Sequence, residues 1–101
     1  AIKMQFDTGA LALNGEDPDE VLRRYSLLIG HVHLSEPDLV PLGDGTTNHP
    51  KMSAAIRNYL TPDVLTIETL ASVNEAPLIS IKRSLEVAIK HYRADPAEVV
   101  A

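Results

Sequence analysis

The sequence has 101 residues, of which 45% are hydrophobic, and its formal net charge is −5. This length and composition suit one small folded domain and exclude wholesale disorder. The acidic balance, with nine scattered Lys and Arg residues, argues against a phosphate-backbone binder, and the absence of cysteine excludes a disulfide scaffold, a thiolate zinc site and a cysteine nucleophile.

The first predicted unit is a strand followed by a helix. Residues 2–7, IKMQFD, mix apolar and polar residues as a strand does, and a loop containing NGEDP follows. Apolar residues at helical spacing then predict a helix over residues 18–29. Asp17 is its expected N-cap, with Pro18 at the first helical position and Glu20 three residues after the cap.

The second unit has the same plan with a longer connection. HVHLS, residues 31–35, predicts a strand, and the loop EPDLVPLGDGTTNHP follows it. A loop of this length in a compact domain is often functional. Residues 51–60 then predict a helix, with Asn48 or His49 as its cap and Pro50 at its start.

The third unit completes a regular alternation. DVLTIETLAS, residues 63–72, predicts a strand, and residues 76–93 predict a long helix before a frayed tail, DPAEVVA. The order strand, helix, strand, helix, strand, helix predicts an α/β fold with parallel strands, right-handed crossovers and outer helices.

An ionisable residue ends each predicted strand: Asp7, His33 and Glu68. Ligands bind at the carboxyl ends of parallel strands, so we expect these side chains to converge. Two carboxylates and an imidazole suit Mn, Mg, Co or Zn, with a further ligand or water completing the shell. Asp7 also suits a turn cap and His33 a hydrogen-bonded core histidine. Glu68 interrupts an apolar strand, where an unpaired carboxylate is costly.

Three further residues are candidate substrate contacts: Glu36, His31 and His49. Glu36 lies three residues after His33, in the loop above the same edge. His31 faces the same side as His33 but lies deeper along the strand, which also suits a supporting or core residue. His49 alternatively caps the following helix or lies on the surface. The GDG at 43–45 suits a plain turn or a close approach to a ligand, and no phosphate-binding motif accompanies it.

Three segments, FDTG, GHVHLSEPDLVPLGDG and LTIE, resemble in this order the last three β/α units of the xylose isomerase-like TIM barrels. That superfamily contains sugar isomerases and epimerases. The resemblance extends from Ile2 to about Tyr92, and the spacings between the three strand-end residues look right for its ketose 3-epimerases. It implies that residues 1–101 form the C-terminal part of such a barrel, strands six to eight with their helices.

The resemblance also implies roles for single residues. Asp7, His33 and Glu68 resemble metal ligands of the family, and Glu68 resembles the glutamate that also exchanges a proton with the substrate. Glu36 matches a glutamate that contacts substrate or supports the site. A divalent ion that grips a carbonyl and a neighbouring hydroxyl stabilises an enediolate. The implied function is isomerisation or epimerisation of a sugar, sugar phosphate or hydroxy-keto acid.

Two departures from the family pattern leave the substrate open. Many members carry a histidine shortly after the strand-six aspartate, where this chain has residues 10–13, ALAL. Ketose epimerases tend to carry an arginine after the strand-seven glutamate, where this chain has residues 37–39, PDL. A lyase or dehydratase on the same metal scaffold stays an alternative. The superfamily also contains the endonuclease IV group, which this chain resembles less, because a three-zinc DNA site would need more histidines and basic contacts than the sequence has.

The family barrel has eight strands, whereas this chain supplies about three and lacks the strand-five glutamate. The chain begins at Ala1 with a predicted strand. We therefore expect a piece of a longer protein, or a chain that pairs with the missing N-terminal part or with copies of itself. The isolated chain is expected to be a poor enzyme. A self-assembling, non-catalytic metal- or ligand-binding α/β module is the alternative from a different class.

Three absences in the sequence bear on compartment and membrane association. No apolar run reaches the ~18 residues of a membrane span, and no secretory signal opens the chain. The lack of cysteine fits a reducing compartment. We expect a cytoplasmic protein with a small-molecule carbohydrate substrate and no nucleic-acid or membrane partner.

Overall fold

The structure, a computed structural model, describes residues 2–93. The predicted tail, DPAEVVA, lies outside the described residues. Three strands and four α-helices follow one another: β1 Met4–Asp7, α1 Thr8–Asn14, α2 Pro18–Tyr25, β2 Ile29–Leu34, α3 His49–Tyr59, β3 Thr66–Ile67 and α4 Pro77–Tyr92. Within residues 2–93, no helix has the length and apolar character needed to cross a bilayer.

The three strands form one parallel sheet in the order β1-β2-β3. Asp7 lies beside His33 in the first ladder, and His33 lies beside Thr66 in the second. The backbone N–H of Glu68 donates to the carbonyl of Leu34 at 2.9 Å, just past the last paired residues. The parallel α/β fold predicted from the alternation of elements is confirmed, and its carboxyl edge brings the three strand ends together.

Alternation along the strands divides the sheet into an apolar face and a polar face. Phe6, Val32 and Leu34 are about 1% exposed and pack under the helices. Their cover includes Leu22 of α2 and Met52 of α3. Residues between them in sequence point to the opposite face, which carries the polar side chains of the candidate site.

One helix was not predicted from the sequence. Helix α1 follows β1 without a break, although a loop was expected there. The Asp7 side chain caps it by accepting a hydrogen bond from the Ala10 N–H at 2.9 Å, and Gly15 ends it in the left-handed region at φ 66°. Alanine and leucine favour a helix at the positions between these caps.

Several predicted boundaries are wrong. The helix predicted over 18–29 ends at Tyr25, because a 3₁₀ turn follows and Ile29 already pairs with Met4 in the sheet. Glu20 bonds Arg23 instead of closing a capping box. The predicted strand 63–72 pairs with β2 only at Thr66–Ile67.

Candidate metal centre

Asp7, His33 and Glu68 meet at the carboxyl edge of the sheet. One ligand atom from each lies within 4.8 Å of the others. His33 Nδ1 lies 2.6 Å from Glu68 Oε2, and their side chains are 19% and 43% exposed. The convergence that we expected from three strand ends is therefore present, although their role as ligands stays a prediction.

The donor set and its spacing fit a divalent cation. Two atoms that each lie about 2.1 Å from one ion are at most about 4.2 Å apart. The ligand atoms of the three residues lie within 4.8 Å of one another, slightly more than this limit. Small side-chain rotations would remove the difference. A cation between the groups would replace the bond from His33 to Glu68. Two carboxylates and one imidazole suit Mn²⁺, Mg²⁺, Co²⁺ or Zn²⁺, and do not select among them.

Two of the three ligand candidates, Asp7 and His33, have a further polar neighbour. Asp7 Oδ1 accepts hydrogen bonds from the Ser35 hydroxyl at 2.6 Å and from the Ala10 N–H at 2.9 Å. Gln5 Nε2 lies 3.0 Å from His33 Nδ1, the same ring nitrogen that faces Glu68. The contacts at Asp7 are of the kind that fixes the direction of a ligating group and tunes its affinity for metal, whereas a cation bound at His33 Nδ1 would displace Gln5.

Glu36, in the loop after β2, and His49, at the start of α3, form a buried pair. Their side chains are 0% and 5% exposed and contact each other at 2.6 Å, from Oε2 to Nε2. The backbone amides of Gly43 and Thr47 also donate to the Glu36 carboxylate, at 2.7 and 2.9 Å. His49 Nδ1 lies 2.6 Å from the Tyr92 hydroxyl at the end of α4. Glu36 thus holds the long loop in place through hydrogen bonds. This arrangement favours a supporting role for Glu36 over contact with substrate.

Burial and charge act in opposite directions on the Glu36–His49 cluster. Burial by itself raises the pKa of Glu36, but hydrogen bonds from His49 and from the loop outweigh it and hold the pKa below 4.5, its ordinary value. Burial, with a smaller contribution from the Glu36 charge, raises the pKa of Tyr92. The cluster is therefore built around an ionised Glu36.

The remaining sequence candidates lie around these two clusters. His31 is exposed on the polar face of the sheet, two residues before His33 in β2. The ring centroids of the two histidines lie 4.8 Å apart. Gly43 adopts φ 92° and donates its N–H to Glu36, so the GDG segment binds a side chain of this chain. Substrate contact by His31, Glu36 and His49 stays a prediction, and burial weighs against it for the last two.

The loops after β2 and β3 are tied to each other and to α4. Leu39 lies in the left-handed region at φ 55°, and its carbonyl accepts from the Leu70 N–H at 2.8 Å. Arg83 of α4 bonds Asp44 at 2.8 Å and also bonds Glu75. The pKa values of Asp44 and Glu75 are lowered by the Arg83 guanidinium. These contacts place both loops around the carboxyl edge of the sheet.

Two residues in contact with the candidate ligands were not predicted from the sequence, Ser35 and Gln5. Gln5 could have been found by alternation, because it lies two positions before Asp7 on the same face of β1. Ser35 lies past the end of β2 and bonds Asp7, which ends β1 and caps α1. No spacing rule in the sequence indicates that contact.

Two solved structures share this fold. A D-psicose 3-epimerase, studied in the presence of D-fructose, matches with a TM-score of 0.75 and 14% identity over 91% of this chain and 38% of its own. An L-ribulose 3-epimerase matches with a TM-score of 0.63 and 24% identity over 92% of this chain and 34% of its own. The chain thus spans little more than a third of the structures that it matches. No protein-family model and no curated protein matches the sequence.

At these identities the likeness concerns the fold. The described residues resemble part of a TIM-barrel epimerase, as the sequence resemblance predicted. The assignment of residues 1–101 to the last three units of the barrel stays a prediction.

Proposed function

We propose that this chain forms part of a divalent-metal-dependent isomerase or epimerase acting on a sugar, a sugar phosphate or a hydroxy-keto acid. One observation carries the proposal: Asp7, His33 and Glu68 converge within 4.8 Å at the carboxyl edge of a parallel sheet. The similar folds of two sugar 3-epimerases support the same class of substrate.

The proposed chemistry assigns a separate task to each group. A bound divalent cation would polarise the substrate carbonyl and its neighbouring hydroxyl, which acidifies the hydrogen on the carbon between them. The Glu68 side chain is more exposed than the His33 side chain that it contacts. Glu68 can therefore reach that hydrogen as the general base. Asp7 and His33 would hold the cation, which would keep the substrate oxygens beside Glu68.

Epimerisation needs a second acid on the opposite face of the reacting carbon, to return the proton there. Among residues 2–93, Asp7, His33 and Glu68 form the single ligand cluster of this kind. We infer that the opposing group belongs to the remaining β/α units of a complete barrel.

The open sides of the molecule support such a complement. Strand β1 and strand β3 each have one unpaired edge in the described sheet. A groove of about 390 Å³ lies beside β3 and is lined by apolar residues that include Leu65, Ile81 and Leu85. Exposed strand edges and apolar grooves of this size favour pairing with further β/α units. We infer that the partner is the remaining part of the barrel, in a longer protein or a second chain.

Solvent-deuterium exchange tests the proposed reaction. A panel of 2-ketoses would be incubated in D₂O with Mn²⁺ and the assembly that contains this chain, and followed by proton NMR. We expect loss of the hydrogen on the carbon next to the carbonyl carbon, slowed about 10²- to 10⁴-fold by Glu68→Gln. Glu86→Gln, at an exposed acid on α4, is the matched control and should leave the rate unchanged. Exchange that Glu68→Gln does not slow would contradict the proposal.

A second candidate function is a self-assembling module that binds metal without turnover. The exposed apolar face of α4, which includes Leu78, Ile81 and Leu85, favours assembly of some kind. Light scattering on the purified chain separates the two functions when it is combined with the exchange assay. A stable oligomer of the 11.0 kDa chain that binds Mn²⁺ and exchanges no ketose would support this second candidate.

A further inference from the structure

We infer that Ser35 is the positioning residue of the candidate metal centre. Its hydrogen bond to one oxygen of Asp7 orients the carboxylate so that the other oxygen faces the cation. This inference rests on the proposed metal-dependent function. The observation behind it is a hydrogen bond of 2.6 Å from the Ser35 hydroxyl to Asp7 Oδ1. Ser35 is fully buried, so water does not compete for that bond.

The direction of the Ser35 proton is fixed by its other contact. The Gly9 N–H donates to Ser35 Oγ at 3.0 Å, so the hydroxyl accepts there and donates its one proton to Asp7. The two segments approach so closely that a Cβ on Gly9 would lie 2.6 Å from Ser35 Oγ. Glycine at position 9 is what allows the hydroxyl to reach the carboxylate.

The two donors to Asp7 meet on the same oxygen. Oδ1 accepts both from Ser35 and from the Ala10 N–H, whereas no hydrogen bond within residues 2–93 reaches Oδ2. Two donors on one oxygen fix the plane of the carboxylate, and they leave Oδ2 as the oxygen available to a cation. We therefore expect Asp7 to bind through Oδ2 alone.

Ser35 is itself held by its backbone. Its N–H donates to Thr8 Oγ1 at 2.8 Å, and its carbonyl accepts from the same hydroxyl at 2.9 Å. The Thr47 hydroxyl also donates to that carbonyl, at 3.1 Å, while the Thr47 N–H is held by Glu36. The buried Glu36–His49 pair thus supports Asp7 through Thr47 and Ser35, which gives these buried ionisable residues a task at the site.

Two effects of removing the Ser35 hydroxyl oppose each other. Loss of a donor leaves more charge on the carboxylate, which favours a cation. Loss of the bond also frees the carboxylate to rotate, which disfavours a fixed coordination geometry. Deleting outer-shell partners of metal ligands typically weakens metal binding about 10- to 100-fold, so we expect the loss of orientation to dominate.

Calorimetric titration with Mn²⁺ tests this role on the purified chain, in the assembly that it forms in solution. Ser35→Ala should raise the Kd for Mn²⁺ about 10- to 100-fold. Ser53→Ala, at a buried serine of α3, is the matched control and should leave the Kd unchanged. Thr47→Val, which keeps the side-chain shape, should raise the Kd by a smaller factor and provides a second variant if Ser35→Ala folds poorly.

The outcomes separate this inference from the function on which it rests. Thermal melting without metal identifies the folded variants, and a merely structural serine would lower the melting temperature while leaving the Kd unchanged. A Kd for Ser35→Ala equal to that of the wild type would overturn the positioning role and leave the metal centre standing. A wild-type chain that binds no Mn²⁺ would overturn both.

Discussion

The first two β/α units and the third are packed differently. All nine buried hydrophobic residues of the described core lie in the first two units, between Phe6 and Ile56. In the third unit, Leu78, Ile81 and Leu85 of α4 are 79%, 49% and 47% exposed. The first two units therefore contain the buried core, although Leu13 and Leu27 are 69% and 87% exposed. The third contributes partly buried residues to that core and keeps an exposed apolar face on α4, which suits a neighbour.

The candidate metal centre straddles this division. Asp7 and His33 come from the well-packed units, where β1 and β2 pair over several residues. Glu68 follows β3, which pairs with β2 through only two residues. The proposed base is thus carried by the unit that depends most on a neighbour, so completing the barrel should both cover α4 and fix Glu68.

Matched leucine substitutions should show the largest contrast between the two regions. Leu22→Ala, at a fully buried residue of α2, should lower the free energy of unfolding by about 2–5 kcal/mol, because it removes methyl groups and leaves a cavity. Leu78→Ala on α4 should change it by no more than about 0.5 kcal/mol. Urea denaturation measures both. Similar losses for the two variants would show that α4 is already covered in solution.

Glu36 should show the next largest effect. Glu36→Gln should lower the free energy of unfolding at neutral pH by about 1.5–3 kcal/mol, because the buried hydrogen bonds lose their charge. The control Glu20→Gln changes an exposed carboxylate that bonds Arg23 on α2, and should have a much smaller effect.

Glu36 should also make the stability of the chain depend on pH. The pKa of Glu36 is lower in the folded chain than its ordinary 4.5, so its stabilisation is present above 4.5 and is lost as pH falls through the folded value. The difference between wild type and Glu36→Gln should therefore shrink on acidification over that range. Urea denaturation at a series of pH values checks this, and a difference that grew on acidification would have the wrong sign.

Arg83 should give the smallest effect. Arg83→Gln removes the contacts with Asp44 and Glu75 that join the two loops. Because the groups are partly exposed, we expect a small fall in melting temperature that diminishes at high salt. Melting curves at low and high NaCl measure it. A fall that salt does not reduce would indicate that packing, and not charge, joins the loops.

The sequence was sufficient to predict the fold and the meeting of the strand ends. Both depend on regular patterns: helical spacing, alternation along strands and the placement of Asp7, His33 and Glu68 at the same point of each unit. Helix α1 was missed because its seven residues are too few to show a periodic apolar face, so its caps at Asp7 and Gly15 were the available signal.

The contacts around the centre could not be predicted in the same way. Ser35 and Thr47 act through positions that are set by tertiary structure, by α1 on one side and the long loop on the other. Glu36 was expected above the edge of the sheet, but the loop wraps around it and buries it. A spacing in sequence identifies which residues share an edge of the sheet, and the path of a loop decides which of them face a ligand.

The most direct test of the central claim is the metal content of the purified chain, measured by elemental analysis. We predict close to one divalent ion per chain, lost in Asp7→Ala and in Glu68→Ala and retained in the exposed-acid control Asp63→Ala. Ion content that is equally retained in all three variants would contradict the assignment of Asp7, His33 and Glu68 as a metal centre.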